Sequence, residues 1–147
     1  MFESNDPNAA IANERVVAAT PDEVFAAFAN ASLLTKWWGP TGFTSTFEVF
    51  EFRPGGRWVF KLHAPAGASY PNESVFGDID PGARIVIEHI SNPKYLLTVA
   101  LTACGDRTHV AWTQVFKSAE AAAKLRRVVE PGNEQNLDRL EAVLAAP

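Results

Sequence analysis

Cysteine, clustered basic residues and long apolar runs are what this sequence lacks. One cysteine, Cys104, stands in 147 residues, so no internal disulfide can close and no Cys-x-x-Cys pair exists for zinc or redox chemistry. Thirteen Lys and Arg face seventeen Asp and Glu, a net charge of −4. The basic residues are scattered, which excludes the electrostatic footprint of a nucleic-acid binder. No stretch approaches the roughly 18 to 20 apolar residues needed to span a bilayer. Residues 1–13 have neither the basic start nor the apolar run of a secretory signal. The expectation is a cytoplasmic protein with no membrane insertion and no nucleic-acid partner. No cofactor motif and no metal-ligand spacing occurs either, so none of these groups is expected.

What is plentiful is aromatic surface: ten Phe, four Trp and two Tyr. The apolar share of 47% and charged share of 20% are those of an ordinary globular chain. A domain of this size buries roughly 70% of the surface its unfolded chain exposes. One core is therefore expected, in a single domain over residues 13–147, preceded by a flexible polar arm over residues 1–12.

Residues 11–19 read as a first strand. Thr20-Pro21-Asp22-Glu23 then carries a helix start, with an N-cap hydroxyl, Pro at the first helical position and Glu three residues after the cap. A second short helix, capped at Ser32, runs into Trp37-Trp38 and stops at Gly39-Pro40. Two successive Trp on one short helix point in different directions, so one is expected inside. From Phe43 the period changes. Six strands are predicted at 44–52, 57–63, 72–79, 84–90, 95–102 and 108–116, separated by turn sequences such as Pro54-Gly55-Gly56 and Asp80-Pro81-Gly82. Such short links make an antiparallel meander. Helical period returns after Ser118, and the core stripe through Leu125, Val129, Gly132, Asn136, Leu140 and Leu144 continues across Pro131. One kinked helix and two helices in near register both fit that stripe.

This order predicts an α+β fold in which a seven-stranded curved antiparallel sheet wraps a long C-terminal helix, with two short helices after the first strand. Trp58, Phe60 and Leu62 share one face of their strand, as do Ile85, Ile87 and His89, and Val110, Trp112, Gln114 and Phe116. Gly132 on the helix stripe leaves room, and Asn136 one turn later supplies a polar handle. The expected ligand site is therefore an apolar cavity walled by Trp37, Trp38, Trp58, Phe60, Phe76 and Trp112. Gln114, Asn136 and His89 are its polar points, and Gly132 is its space. Gln114 and Asn136 either meet a ligand or bond to each other. The opposite sheet face, reading Phe50, Val59 and Val86 among charges, is apolar enough for a homodimer.

Reactive groupings are thin. His63, His89 and His109 fit no zinc spacing, and a buried His89 is more often hydrogen-bonded structure than a base. Glu73, Glu88 and Glu134 would need burial to act as acids or bases, and the expectation for each is a surface carboxylate. Arg53-Pro54-Gly55-Gly56 is followed by no helix, so it reads as a hairpin turn and not as a phosphate loop. Cys104 sits at a turn without a histidine pattern for a nucleophile.

Several segments together resemble a known family. They are Thr20 to Phe25 (TPDEVF), Trp37 to Pro40 (WWGP), Arg53 to Gly56 (RPGG), Ile79 to Val86 (IDPGARIV) and Asn133 to Leu140 (NEQNLDRL). Their order and spacing, over roughly residues 13–145, are similar to the homologues of the Hsp90 ATPase activator C-terminal domain. That group lies within the START-like, birch-pollen-allergen-like superfamily. The resemblance implies a helix-grip fold that holds a small apolar molecule between sheet and long helix. It also implies two alternatives, a polyketide cyclase- or hydrolase-like enzyme in the same cavity and a co-chaperone-like interaction domain. A Gly-Trp pair common at the long helix of relatives is matched only at Gly132, because Asn133 replaces the Trp.

Overall fold

The computed structural model describes residues 6–146. The first strand, β1, covers Ala10–Val17, after a 3-10 turn at Pro7–Ala9 capped by the Asp6 side chain. It starts earlier than the sequence pattern placed it. Ala9 and Ile11 are fully buried, so the last residues read as an arm belong to the core, while residues 1–5 lie outside the described residues.

Helix α1, Pro21–Ala29, opens with the expected capping box. Glu23 N–H donates to Thr20 Oγ1 at 3.2 Å and Thr20 N–H donates to Glu23 Oε1 at 2.9 Å. Helix α2, Ala31–Trp37, is capped by Asn30 and not by Ser32, whose N–H donates to the Asn30 side chain. Both Trp of the pair are buried. Only Trp37 is helical; Trp38 is the C-cap, with extended backbone, and the change of direction swings the second indole inward as well.

The remaining strands are β2 Thr44–Phe50, β3 Arg57–His63, β4 Ser69–Asp80, β5 Arg84–His89, β6 Tyr95–Cys104 and β7 Arg107–Val115. All pairings are antiparallel, in the order β1-β7-β6-β5-β4-β3-β2. The two edges, β1 and β2, are therefore joined only through α1 and α2, which close one end.

Two register shifts shape the inner face. In β2 the shift falls between Phe47 and Val49, so Phe47 and Phe50, three residues apart, both reach Trp58, with centroids at 5.4 and 6.0 Å. Phe50 therefore belongs inside and not to the outer face, because one extra residue reverses strand parity. In β4 the shift between Phe76 and Ile79 does the same for that pair. Gly77 sits in this bulge, where an added Cβ would crowd Val86 at 3.0 and 3.2 Å.

Helix α3 is continuous over Ala119–Ala145 with Pro131 inside it, which resolves the choice left by the stripe. Its buried residues are Ala122, Asn133, Asn136, Leu137 and Leu140. The main core joins Leu137 and Leu140 to the inner sheet residues and to α1 and α2. A smaller cluster of Ile11, Phe116 and Ala122 lies under the helix start. No helix among the described residues is long and apolar enough to cross a membrane.

Candidate functional site: an aromatic interior with an amide rim

The inner face of the curved sheet and the α2 C-terminus bring the predicted wall residues together. Trp38 is central, with ring centroids 4.9 Å from Trp58 and 5.5 Å from Trp112. Trp58 stacks on Phe60 at 4.5 Å and lies parallel to Phe76 at 5.9 Å. Trp37 meets Phe28 edge-on at 4.8 Å and gives its indole N–H to the Ala27 carbonyl at 3.0 Å. These offset and edge-to-face contacts are the favourable ones between aromatic quadrupoles. Around this packed centre Phe47, Phe50, Phe52, Leu62 and Tyr95 are only partly buried. The aromatic surface thus extends from the core toward an accessible margin.

The long helix contributes a polar rim of amides. Asn133 Nδ2 donates to Asn13 Oδ1 at 3.0 Å and also to Gln114 Oε1. Asn13 Nδ2 in turn donates to the Glu130 carbonyl at 3.1 Å and to Glu134 Oε2 at 2.7 Å. Gln114 points inward as expected, but its partner is Asn133. Asn136 instead accepts from Gly39 N–H at 3.2 Å. Gly132 is not the residue facing the sheet: it is half-buried at the flank of the stripe while Asn133 is buried. A Cβ at Gly132 would meet no atom within 4 Å.

Cations fasten the rim from outside. Arg15, itself mostly buried, holds Glu134, Asp138 and Glu141 at 2.8, 2.6 and 2.7 Å. Burial disfavours its charge, but the bonds to Glu141, Asp138 and Glu134 outweigh that and keep it firmly protonated. The Asn13 amide and Arg15 hold the Glu134 carboxyl below its usual range. Arg139 donates to the carbonyls of Lys36, Trp38, Gly39 and Pro40 at 2.9 to 3.3 Å, locking the α2 C-terminus and its Trp38 to α3. Thr41 N–H adds a bond to Gln135 at 3.2 Å.

His89 is buried and inward, as its parity required. Its ring stacks on Tyr95 at 4.6 Å, and Nδ1 donates to the Pro93 carbonyl at 2.7 Å. Nε2 lies 3.3 Å from the Ser91 hydroxyl and 2.7 Å from Asn72 Oδ1. A neutral ring accepts from Ser91; a protonated ring donates to Asn72. Burial lowers its pKa despite the bonds to Pro93 and Ser91, so the neutral form prevails at neutral pH.

The backbone N–H groups of Gly55 and Gly56 donate to Phe76 and Arg53 carbonyls at 2.8 Å, and a Cβ at Gly56 would collide with the Glu51 carbonyl. The turn needs its glycine for close packing, and its donors are spent within the fold. His63 lies between Thr46 and Ser69, 2.8 Å from each. Cys104 is exposed. No group of three metal-ligating side chains gathers among the described residues. Surface depressions lie outside the interior. One of about 630 Å³ runs along Asp78, Ile79, Arg84 and Thr102, and one of about 280 Å³ lies between Pro93, Phe116 and Leu125. The first is spanned by the Arg84–Asp78 ion pair at 3.0 Å and shares no residue with the Trp cluster.

A long C-terminal helix gripped by a seven-stranded antiparallel sheet, with two short helices after the first strand, is the helix-grip fold of START-like proteins. The family described as Activator of Hsp90 ATPase homolog 1-like protein matches residues 18–145, and this chain belongs to that family. A protein from Arthrobacter aurescens superposes with TM-score 0.89 at 22% identity, covering 100% of this chain and 92% of that one. A protein from Nitrosomonas europaea gives 0.86 at 18%, covering 95% and 96%. The AHSA1 protein from Silicibacter pomeroyi gives 0.75 at 19%, covering 93% and 98%. At such identities these likenesses establish the fold alone. Among proteins of curated function none matches.

Proposed function

We propose that this protein holds a small hydrophobic or aromatic molecule between the inner sheet face and α3. The observation that carries the reading is the aromatic inner face of the sheet, where Trp58 and Trp112 meet Trp38 and keep buried indole N–H groups without a protein partner. The partly buried Phe47, Leu62 and Tyr95 supply apolar contact for such a molecule.

The groups that a cyclase- or hydrolase-like reaction would use are committed elsewhere. Gln114 accepts from Asn133, and the neutral His89 ring donates from Nδ1 to the Pro93 carbonyl and accepts from the Ser91 hydroxyl at Nε2. Holding therefore ranks above reacting. A co-chaperone-like role, carried only by the family's name, is tested by whether the chain stimulates ATP hydrolysis by an Hsp90 homologue. A homodimer through the outer sheet face, where Val59 and Val86 are half-buried, is a separate proposal; light scattering gives one chain mass or two. The same reading of the chain keeps it in the cytoplasm.

Thermal melting with a panel of fatty acids, polyketides, sterols and flavonoids tests the main reading. A ligand present at a hundred times its Kd stabilises the native state by about 2.7 kcal/mol, or roughly 5 to 11 °C for a domain of this size. No shift with any compound overturns it.

A further inference from the structure

Three polar atoms on the inner sheet face are buried without a protein partner: Trp58 Nε1, Trp112 Nε1 and Ser45 Oγ. The fold is able to satisfy an indole here, since Trp37 donates to Ala27. Leaving two others unsatisfied is costly, because a buried donor loses its water and gains nothing in return. Phenylalanine would fill much of the same apolar space without an N–H to strand. The orphans are grouped: both indoles touch Trp38, and Ser45 pairs with Leu62 on the face that carries Trp58 and Phe60.

The same interior has no charge to offer. Its buried polar residues are Asn, Gln, Ser, Thr and one His, with no Lys, Arg, Asp or Glu among the described ones. Arg15 is taken by three carboxylates and Arg139 by backbone carbonyls. An ionised ligand group would be buried with no counter-charge, which is strongly unfavourable.

We infer that the molecule held here is uncharged and ring-containing and carries an oxygen acceptor, such as a ketone or ether, for the indole N–H groups of Trp58 and Trp112. Ser45 Oγ is the further polar contact available to it. This rests on the binding reading above and adds the ligand's chemistry to it.

Three matched probes separate the possibilities: 2-acetylnaphthalene, 2-ethylnaphthalene of similar shape without the oxygen, and 2-naphthoate with a full charge. The full chain, 15N-labelled, is titrated with each while the indole N–H resonances of its four Trp are followed. The variants Trp58→Phe and Trp112→Phe assign the signals. The ketone should bind about five- to tenfold tighter than the hydrocarbon, the worth of one net hydrogen bond, and tighter than the carboxylate. It should move the Trp58 and Trp112 indole protons downfield where the hydrocarbon does not. In each variant the ketone's advantage shrinks, while retained hydrocarbon binding shows that the interior is intact. Equal affinity for ketone and hydrocarbon, with unmoved indole protons, overturns the inference and assigns the N–H groups to buried water, leaving the binding reading standing. Tighter binding of 2-naphthoate overturns the uncharged assignment. If none of the three binds, the inference falls together with the binding reading.

Discussion

Replacing Asn133 by alanine tests whether the amide rim is a connected structural network. The Asn133 side chain is the shared donor for two buried acceptors, Asn13 Oδ1 and Gln114 Oε1. Both acceptors belong to residues no more than 7% exposed, so water cannot simply replace the lost amide. Each stranded acceptor costs about 1–2 kcal/mol, which sums to about 2–4 kcal/mol for the variant. The loss is large beside the roughly 5–15 kcal/mol that holds a typical domain together, and corresponds to a Tm drop of about 4–16 °C. Urea unfolding should show a lower midpoint with an unchanged m-value, since the same surface is exposed. Adding Gln114→Ala should cost less than the two single changes summed, because the second change removes one of the stranded acceptors. A loss below about 0.5 kcal/mol, the scale of an ordinary surface change, would refute the reasoning.

Three further outcomes follow from the same geometry. Burial lowers the His89 pKa below its ordinary 6.5, so the unfolded chain takes up a proton there that the folded chain refuses. Its contribution is intact above that pH and declines as pH falls from 6.5 toward the lowered value, by at most ~1.4 kcal/mol per pH unit. His89→Gln should flatten the stability profile in that window, and an unchanged slope in denaturant titrations would contradict it. Gly132→Ala should stabilise the unliganded protein by about 0.5–1 kcal/mol, with a rise in Tm; a fall would mean that atoms approach the helix there. Arg15→Met should cost about 1–2 kcal/mol at low salt by leaving Glu134, Asp138 and Glu141 facing one another, and unfolding in 1 M NaCl should narrow the difference.

The strands and helices were legible because their signals are local. Thr20 and Glu23 declare a capping box in four residues, and the alternation of Trp58, Phe60 and Leu62 declares a face. The bulges were not legible. Nothing in Thr44 to Phe50 marks Glu48 as the extra residue, so simple alternation sends Phe50 outward, whereas its pairing with Trp58 turns it in. The Trp37-Trp38 pair misled for a similar reason: helical geometry separates two neighbours, but a helix ending between them does not. Of the polar rim, Gln114 is legible from strand parity and Asn136 from the helix stripe. Asn13 carried the same signal, sharing its face with Ile11 and Val17, and Asn133 lies four residues before Leu137. Their importance lies in bonding to each other across the sheet–helix seam, a pairing between residues 120 positions apart that neither local period reports. Asn72 and Arg139 matter through partners distant in sequence, which no single-chain pattern reports.

The central claim is that the space between the inner sheet face and α3 takes up an apolar molecule. The most direct measurement is a backbone NMR titration of the 15N-labelled chain with 2-acetylnaphthalene. Saturable shifts at Phe47, Leu62, Leu137 and Leu140, with Val59 and Val86 on the outer face unmoved, are what the account predicts. Saturable shifts confined to the outer face or to the depression at Asp78 and Arg84, or no saturable shift at all, would contradict it.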